Sequence, residues 1–135
     1  MIAVDASVLV DVLASDPVHG ETSGWAMRGA LAEGELVVCD AVVAEVHALL
    51  DDAGDAMTVL TGLGIRYSPV QEAAAVRAGL MQRRFRERGG RRERVVADFL
   101  IGSHALLQCT ALITRDAGFF RDYFKGLRVI APGRH

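Results

Sequence analysis

Residues 94–107 read Arg-Val-Val-Ala-Asp-Phe-Leu-Ile-Gly-Ser-His-Ala-Leu-Leu, with apolar side chains at helical spacing. These side chains form a broad stripe suited to a core: Val95, Val96, Phe99, Leu100, Leu106 and Leu107. Asp98 lies off that stripe. Gly102 and Ala105 follow it one and two turns later, and their small size leaves open space beside the Asp98 carboxylate. The pattern predicts a helix whose aspartate faces a ligand, with a solvated aspartate near a helix start as the alternative.

Length and composition indicate one folded domain over residues 1–135. A hydrophobic content of 51% excludes a disordered chain. No apolar run approaches the roughly 20 residues of a membrane span, and no secretory signal precedes Asp5, so we expect a cytoplasmic protein. Cys39 and Cys109 form no paired motif and the four histidines show no ligand spacing, which argues against a disulfide or a zinc site.

The positive charge of the chain is concentrated in one segment. The formal net charge is −2, which by itself predicts no nucleic-acid partner. Lys125 is the only lysine among 15 basic residues, and seven arginines fall between Arg83 and Arg94. Arginine is preferred where planar, bidentate contact with phosphate is needed. This segment is either a solvated charged surface or a contact for a phosphate backbone.

Short apolar runs alternate with helical patterns along the chain. We expect strands at 1–4, 36–39, 65–70, 111–114 and 127–131. We expect helices at 6–13, 18–32, 41–50, 56–63 and 71–86, in addition to the helix around Asp98. Trp25, Met27 and Leu31 are expected to anchor the second helix, and Phe119, Phe120, Tyr123 and Phe124 to be packing residues. This alternation predicts an α/β fold with a parallel, twisted sheet flanked by helices on both faces.

Four carboxylates stand where such a fold brings distant parts of the chain together. Asp5 and Asp116 follow strand ends, and Glu45 and Asp98 lie near helix starts. Because the carboxyl ends of parallel strands share one edge, we expect these four side chains to converge there. Helix capping is the alternative role for Asp5.

Converging carboxylates would repel one another, and a hard divalent cation with oxygen ligands relieves that repulsion. Mg²⁺ or Mn²⁺ suits such a site and leaves room for a phosphate. Since no Ser-His-Asp or Cys-His arrangement is evident, the cation would activate water and polarise a phosphoryl group, with Glu or Asp accepting the proton. The expected reaction is phosphodiester hydrolysis.

Four motifs carry a resemblance that covers the whole chain in order. They are Ile-Ala-Val-Asp5-Ala-Ser7-Val-Leu-Val, Val-Val-Ala-Glu45-Val, Val-Val-Ala-Asp98-Phe-Leu-Ile-Gly-Ser-His-Ala and Leu-Ile-Thr114-Arg-Asp116-Ala-Gly-Phe-Phe. Together they resemble the signatures of PIN-domain ribonucleases, most closely the VapC-type toxins of bacterial toxin–antitoxin pairs. The resemblance implies an Mg²⁺- or Mn²⁺-dependent endoribonuclease whose acidic cluster is Asp5, Glu45, Asp98 and Asp116.

The same resemblance implies partners and supporting residues. Ser7 and Thr114 would shape the site by hydrogen bonding. A homodimer is expected, together with a VapB-like antitoxin that places a basic side chain in the active-site groove. The expected substrate-binding residues are Ser7, Thr114, Arg115, Arg91, Arg92 and Arg94, although the arginine-rich segment does not map onto the family's pattern and could contact either RNA or antitoxin.

Three other functions are alternatives to a toxin ribonuclease. A phosphoacceptor signalling domain also places aspartates and Mg²⁺ at strand ends, but it needs paired acids after the first strand and a lysine near the last strands. A non-catalytic RNA-binding PIN-like domain predicts a broken acidic set, whereas this set is intact. An RNA-processing PIN nuclease without a toxin role remains an alternative, and the short single-domain chain favours the toxin.

Overall fold

A parallel five-stranded sheet is the centre of the molecule. The structure, a computed structural model, describes residues 1–50, 54–90 and 94–133. The strands are β1 (Ile2–Val4), β2 (Leu36–Val38), β3 (Arg66–Tyr67), β4 (Ala111–Ile113) and β5 (Val129–Ile130). Their order is β3-β2-β1-β4-β5, and every pairing is parallel. The central strand β1 is in register with both neighbours, Ile2 lying opposite Leu36 and Ala111.

Helices in the described ranges connect these strands. They are α1 (Ala6–Leu13), α2 (Gly20–Leu31), α3 (Asp40–Leu49), α4 (Ala56–Gly62), α5 (Glu72–Glu87), α6 (Val96–Gln108) and α7 (Ala117–Tyr123). All three residues of β1 are buried although their side chains alternate between the faces of the sheet, so both faces are covered. The α/β fold class predicted from the sequence is confirmed. None of the helices described has the length and apolar content needed to cross a bilayer.

The end of β4 leads into a helix that the sequence pattern does not predict. Helix α7 packs its aromatic residues inward, with Phe119 and Phe120 buried, and Phe124 follows directly. The Phe119 ring meets the Phe99 ring edge-to-face, with centroids 5.4 Å apart. These contacts confirm the packing role expected for the aromatic residues and attach α7 to α6.

Several large apolar residues expected in the core are exposed instead. They are Trp25, Leu31, Val95, Val96 and Leu107. Leu49 and Val76, whose helical spacing also predicts inward positions in α3 and α5, are exposed as well. The reason is that close helix packing buries small residues, as in α5, where Ala74 and Ala78 are buried while Val76 is 68% exposed. Large side chains at helix ends and outer faces then remain in contact with solvent. The burial predicted from large apolar residues at helical spacing was therefore wrong at these positions.

Gly102 in α6 illustrates the same effect beside the Asp98 carboxylate. A Cβ atom at Gly102 would lie 2.4 Å from Cε2 of the buried Phe124 ring, and Ala105 is fully buried. Gly102 therefore admits a neighbouring ring, and both small residues are buried rather than clearing a surface for a ligand as expected from the sequence. This close approach fixes α6, and with it Asp98, against the segment that follows α7.

Candidate active site

Asp5 is the deepest acid at the carboxyl edge of the sheet. It follows β1 and is 9% exposed. Its Oδ2 accepts hydrogen bonds from Thr114 Oγ1 at 2.6 Å and from Ser7 Oγ at 3.0 Å. Burial raises the pKa of this carboxyl, and the two hydroxyl donors partly oppose that rise. The hydroxyls thus hold one oxygen of a carboxylate that is costly to bury while ionised.

Glu45 and Asp98 reach the same region from α3 and α6. Glu45 is exposed, but partial desolvation of its carboxyl raises its pKa, and the negative charges of Asp5 and Asp98 raise it further. The pKa of Asp98 is also raised by burial, against the opposing effects of the Val95 N–H and of Arg94. These mutual effects place the three carboxylates in one negative electrostatic field, contributed by three separate parts of the chain.

Asp116 lies at the start of α7, and an arginine is bound to it. Its backbone N–H donates to Thr114 Oγ1 at 3.0 Å, and its Oδ2 accepts a hydrogen bond from Arg94 Nη1. The Arg94 guanidinium also lies over the Phe119 ring, with its Cζ 3.9 Å from the centroid. Arg94 therefore supplies a positive charge to the outer part of the acidic edge. Thr114 bridges the inner acid and the outer one.

The carboxylates suit a hard divalent cation by their chemistry. They offer oxygen atoms only, and their mutual repulsion is the property that such a cation would relieve. In the described part of the chain, no three acidic, histidine or cysteine side chains are grouped closely enough to hold one ion. Two of the acids are turned to other partners: Asp98 Oδ2 accepts the Val95 N–H at 3.1 Å, and Asp116 accepts from Arg94.

Arg115 follows Thr114 and faces α1. Its backbone N–H donates to Ser7 Oγ at 3.4 Å, and its Nε donates to Asp11 Oδ2 at 2.6 Å. Asp11 is buried, and Ser23 of α2 donates to the same oxygen at 2.8 Å. Neither Asp11 nor Ser23 is among the site residues predicted from the sequence. The available signal was a charged residue inside the apolar run of α1.

The arginine-rich segment is only partly described. Arg91 and Arg92 lie outside the described residues. Four arginines near the end of α5 are exposed: Arg83, Arg84, Arg86 and Arg88. The Arg88 guanidinium lies over the Tyr123 ring, 5.7 Å from Cζ to the centroid. This group adds positive charge to the surface on which α5 ends.

An all-parallel sheet with carboxylates at the carboxyl ends of its strands defines an α/β domain of the kind that binds ligands at that edge. The family model described as the PIN domain matches residues 2–125, and the chain belongs to this family of nuclease domains.

Solved structures with the same fold have low sequence identity. The chain is similar to one in VapBC2 from Rickettsia felis bound to a promoter DNA fragment, at 15% identity and TM-score 0.73, covering 97% of this chain and 98% of that one. It is also similar to VapC20 from Mycobacterium tuberculosis, a Sarcin-Ricin loop cleaving toxin, at 18% identity and TM-score 0.65, covering 95% and 99%. A third similar structure is FitAcB from Neisseria gonorrhoeae, at 22% identity and TM-score 0.66, covering 98% of this chain and 98% of that one. No curated protein matches the sequence.

Proposed function

We propose that this PIN domain is an Mg²⁺- or Mn²⁺-dependent endoribonuclease that hydrolyses RNA phosphodiester bonds. The observation that carries the proposal is the buried Asp5 carboxylate, held by Thr114 and Ser7 and lying in the field of Glu45 and Asp98. Packing ionisable acids together opposes stability, so this arrangement is best explained by a cation-dependent function.

Asp5, Asp98 and Asp116 would hold the cation, with Glu45 as a further ligand or as the proton acceptor. When bound, the cation supplies Lewis-acid polarisation of the phosphoryl group and acidification of water. The raised pKa of Glu45 brings its proton affinity closer to that needed by a general base at neutral pH. Thr114 and Ser7 would keep the Asp5 side chain in one orientation, so its second oxygen is presented reproducibly.

Arginines would bind the RNA backbone around this edge. We assign that role to Arg115, Arg94, Arg91 and Arg92, with Ser7 and Thr114 supporting the site. Arg94 is bound to Asp116 in the structure, so Arg94 would exchange Asp116 for a phosphate when the site is loaded. Charge-assisted contacts of this kind would place the RNA without reading its sequence.

A nuclease assay tests the activity. Purified protein is incubated with total bacterial RNA in Mn²⁺, in Mg²⁺ or in EDTA, and the new RNA ends are sequenced. We expect cleavage at defined positions with either cation and none in EDTA. Equal cleavage in EDTA would contradict cation dependence, and intact RNA in all conditions would favour the non-catalytic RNA-binding alternative.

We further propose that the chain is the toxin of a toxin–antitoxin pair, acts as a homodimer and is inhibited by a VapB-like antitoxin. Complexes named VapBC among the structural neighbours support this proposal. The acidic edge would accept a basic side chain of the antitoxin, as it accepts Arg94.

Induced expression in a bacterium tests the toxin role. Growth arrest that is relieved by co-expressing the neighbouring small gene product is the expected result, and light scattering of the purified chain should give the mass of a dimer. Harmless expression of an active nuclease would favour the RNA-processing alternative.

A further inference from the structure

Arg115 is held by a carboxylate that does not belong to the acidic edge. The Asp11 side chain is 4% exposed and that of Arg115 is 38% exposed, so the ion pair extends from the interior to the surface. Asp11 Oδ2 accepts from both Arg115 Nε and Ser23 Oγ, at 2.6 and 2.8 Å. Burying an ionised carboxylate is unfavourable unless such donors compensate it. The buried Asp11 carboxylate therefore fixes one side of the Arg115 guanidinium.

The rest of that guanidinium is partly exposed, and besides Asp11 it interacts electrostatically with Asp16. Within the described residues, the guanidinium of Arg115 makes no hydrogen bond other than the one from Nε to Asp11. A guanidinium presents five N–H donors in a planar fork that matches a phosphate, and fixing its plane lowers the entropy lost on binding. Arg115 is thus oriented before any ligand arrives.

The location of Arg115 connects it to the acidic edge. Ser7 Oγ accepts from the Arg115 N–H and donates to Asp5 Oδ2, so one hydroxyl joins this residue to the buried acid. Arg94 differs, because its carboxylate partner is Asp116, a candidate cation ligand. Asp11 has no such second role, so Arg115 can keep its position when a cation is bound.

We propose that Asp11 and Ser23 are positioning residues that hold Arg115 as a binding site for an RNA backbone phosphate on the α1 side of the acidic edge. This inference rests on the proposed ribonuclease function. A purely structural tether between α1, α2 and the end of β4 is the competing explanation, and it predicts lower stability of the variants with no specific effect on RNA affinity.

The test is a double-mutant cycle on RNA binding. All variants carry Asp98→Asn to prevent cleavage, and the probe is a fluorescein-labelled single-stranded RNA of mixed sequence in Mg²⁺ at several KCl concentrations. Arg115→Gln is expected to weaken binding about tenfold and to reduce the salt slope by about one. Asp11→Asn should weaken binding by about threefold or more when Arg115 is present and have no further effect beside Arg115→Gln.

The matched control is Arg128→Gln. Arg128 is an exposed arginine that is also paired to a carboxylate, Glu33, but it precedes β5 and so lies toward the opposite ends of the strands. Affinity and salt slope should not change in this variant. Thermal unfolding monitors the fold of every variant, and Ser23→Ala replaces Asp11→Asn in the cycle if the latter does not fold.

Unchanged affinity in both Asp11→Asn and Ser23→Ala, or losses that simply add to that of Arg115→Gln, would overturn the inference. Failure of the protein with Asp98 intact to cleave RNA in the nuclease assay would instead overturn the proposed function. The two failures are distinguishable because binding and cleavage are measured separately.

Discussion

At the scale of single residues, the acidic edge depends on hydrogen bonds between positions far apart in the chain. Thr114 donates to Asp5 and accepts from the Asp116 N–H, so one hydroxyl orders two of the candidate acids. The outer acids have partners of their own, Asp98 at Val95 and Asp116 at Arg94. The inner acid is therefore fixed by neutral donors, while the outer ones must change partners for the set to close around a cation.

The first prediction concerns Asp98. Asp98→Asn should lower the rate of RNA cleavage by about a hundredfold or more, because an amide oxygen is a weaker cation ligand than a carboxylate. The amide oxygen can still accept the Val95 N–H, so the fold should persist. Initial rates in Mn²⁺, with circular dichroism as the check on folding, measure both effects. Asp122→Asn, at an exposed acid of α7, should retain full activity; full activity in Asp98→Asn would remove this residue from the proposed site.

The second prediction concerns Arg94, which would compete with the proposed cation for Asp116. Arg94→Gln should tighten Mn²⁺ binding by about threefold or more, because the positive charge next to the acids is lost. Titration calorimetry of the RNA-free protein measures this directly. Arg88→Gln, at an arginine that lies over Tyr123, is the control and should leave Mn²⁺ affinity unchanged. Weaker Mn²⁺ binding in Arg94→Gln would show that Arg94 supports the site rather than competing with it.

At the scale of helices and strands, the sequence predicted the elements better than their buried faces. Periodicity located α1 at its observed bounds and placed the other helices up to α6 within two residues of theirs, whereas the strand expected at 65–70 is limited to Arg66–Tyr67. Periodicity did not predict which faces of α5 and α6 are buried. Ala78 and Gly102 are buried through close packing, which depends on the neighbouring structure and not on the residue's own hydrophobicity. Single acidic residues after strand ends or near helix starts were enough to propose the four carboxylates of the site from the sequence. Asp11 was missed because its partners lie on α2 and after β4.

The third prediction tests the contact between α6 and the residue that follows α7. Gly102→Ala should destabilise the protein by about 1–3 kcal/mol, because the added Cβ meets the buried Phe124 ring and one of the two must shift. Urea unfolding measures the change. Gly118→Ala is the matched control: it lies in α7 with nothing within 4 Å of the added carbon, and it should be neutral or stabilising by up to about 1 kcal/mol. Equal stability of both variants would show that the ring can be displaced at no cost.

At the scale of the whole molecule, the acidic edge opposes folding when no cation is present. Asp5, Glu45 and Asp98 all have pKa values raised above their ordinary values, with burial as the largest cause. A folded state with raised carboxyl pKa values binds more protons than the unfolded state, so its stability falls as the pH rises through those values. A bound cation would counter this loss by mass action.

The fourth prediction follows from that sign. In EDTA, Asp5→Asn should be more stable than the unsubstituted protein at neutral pH, and the difference should shrink as the pH falls and vanish near pH of about 3, below the unfolded-state pKa of 3.8, where the carboxyl is protonated in both states. Melting temperatures across this range measure it. Asp16→Asn is the control of opposite sign: hydrogen bonds from His19 and Val18 lower the pKa of Asp16, so its stabilising contribution is present at neutral pH and lost in acid. A difference for Asp5→Asn that does not vary with pH would contradict the burial argument.

The order of strands also has a consequence for synthesis. The central strand β1 is made well before its partner β4 and before Thr114, which lies 109 positions after Asp5 in the chain. A nascent polypeptide that ends before Ala111 has neither the second neighbour of β1 nor the Thr114 hydroxyl, so it cannot assemble the site. The proposed nuclease would thus have no complete acidic edge on a nascent chain until β4 and Thr114 have been synthesised.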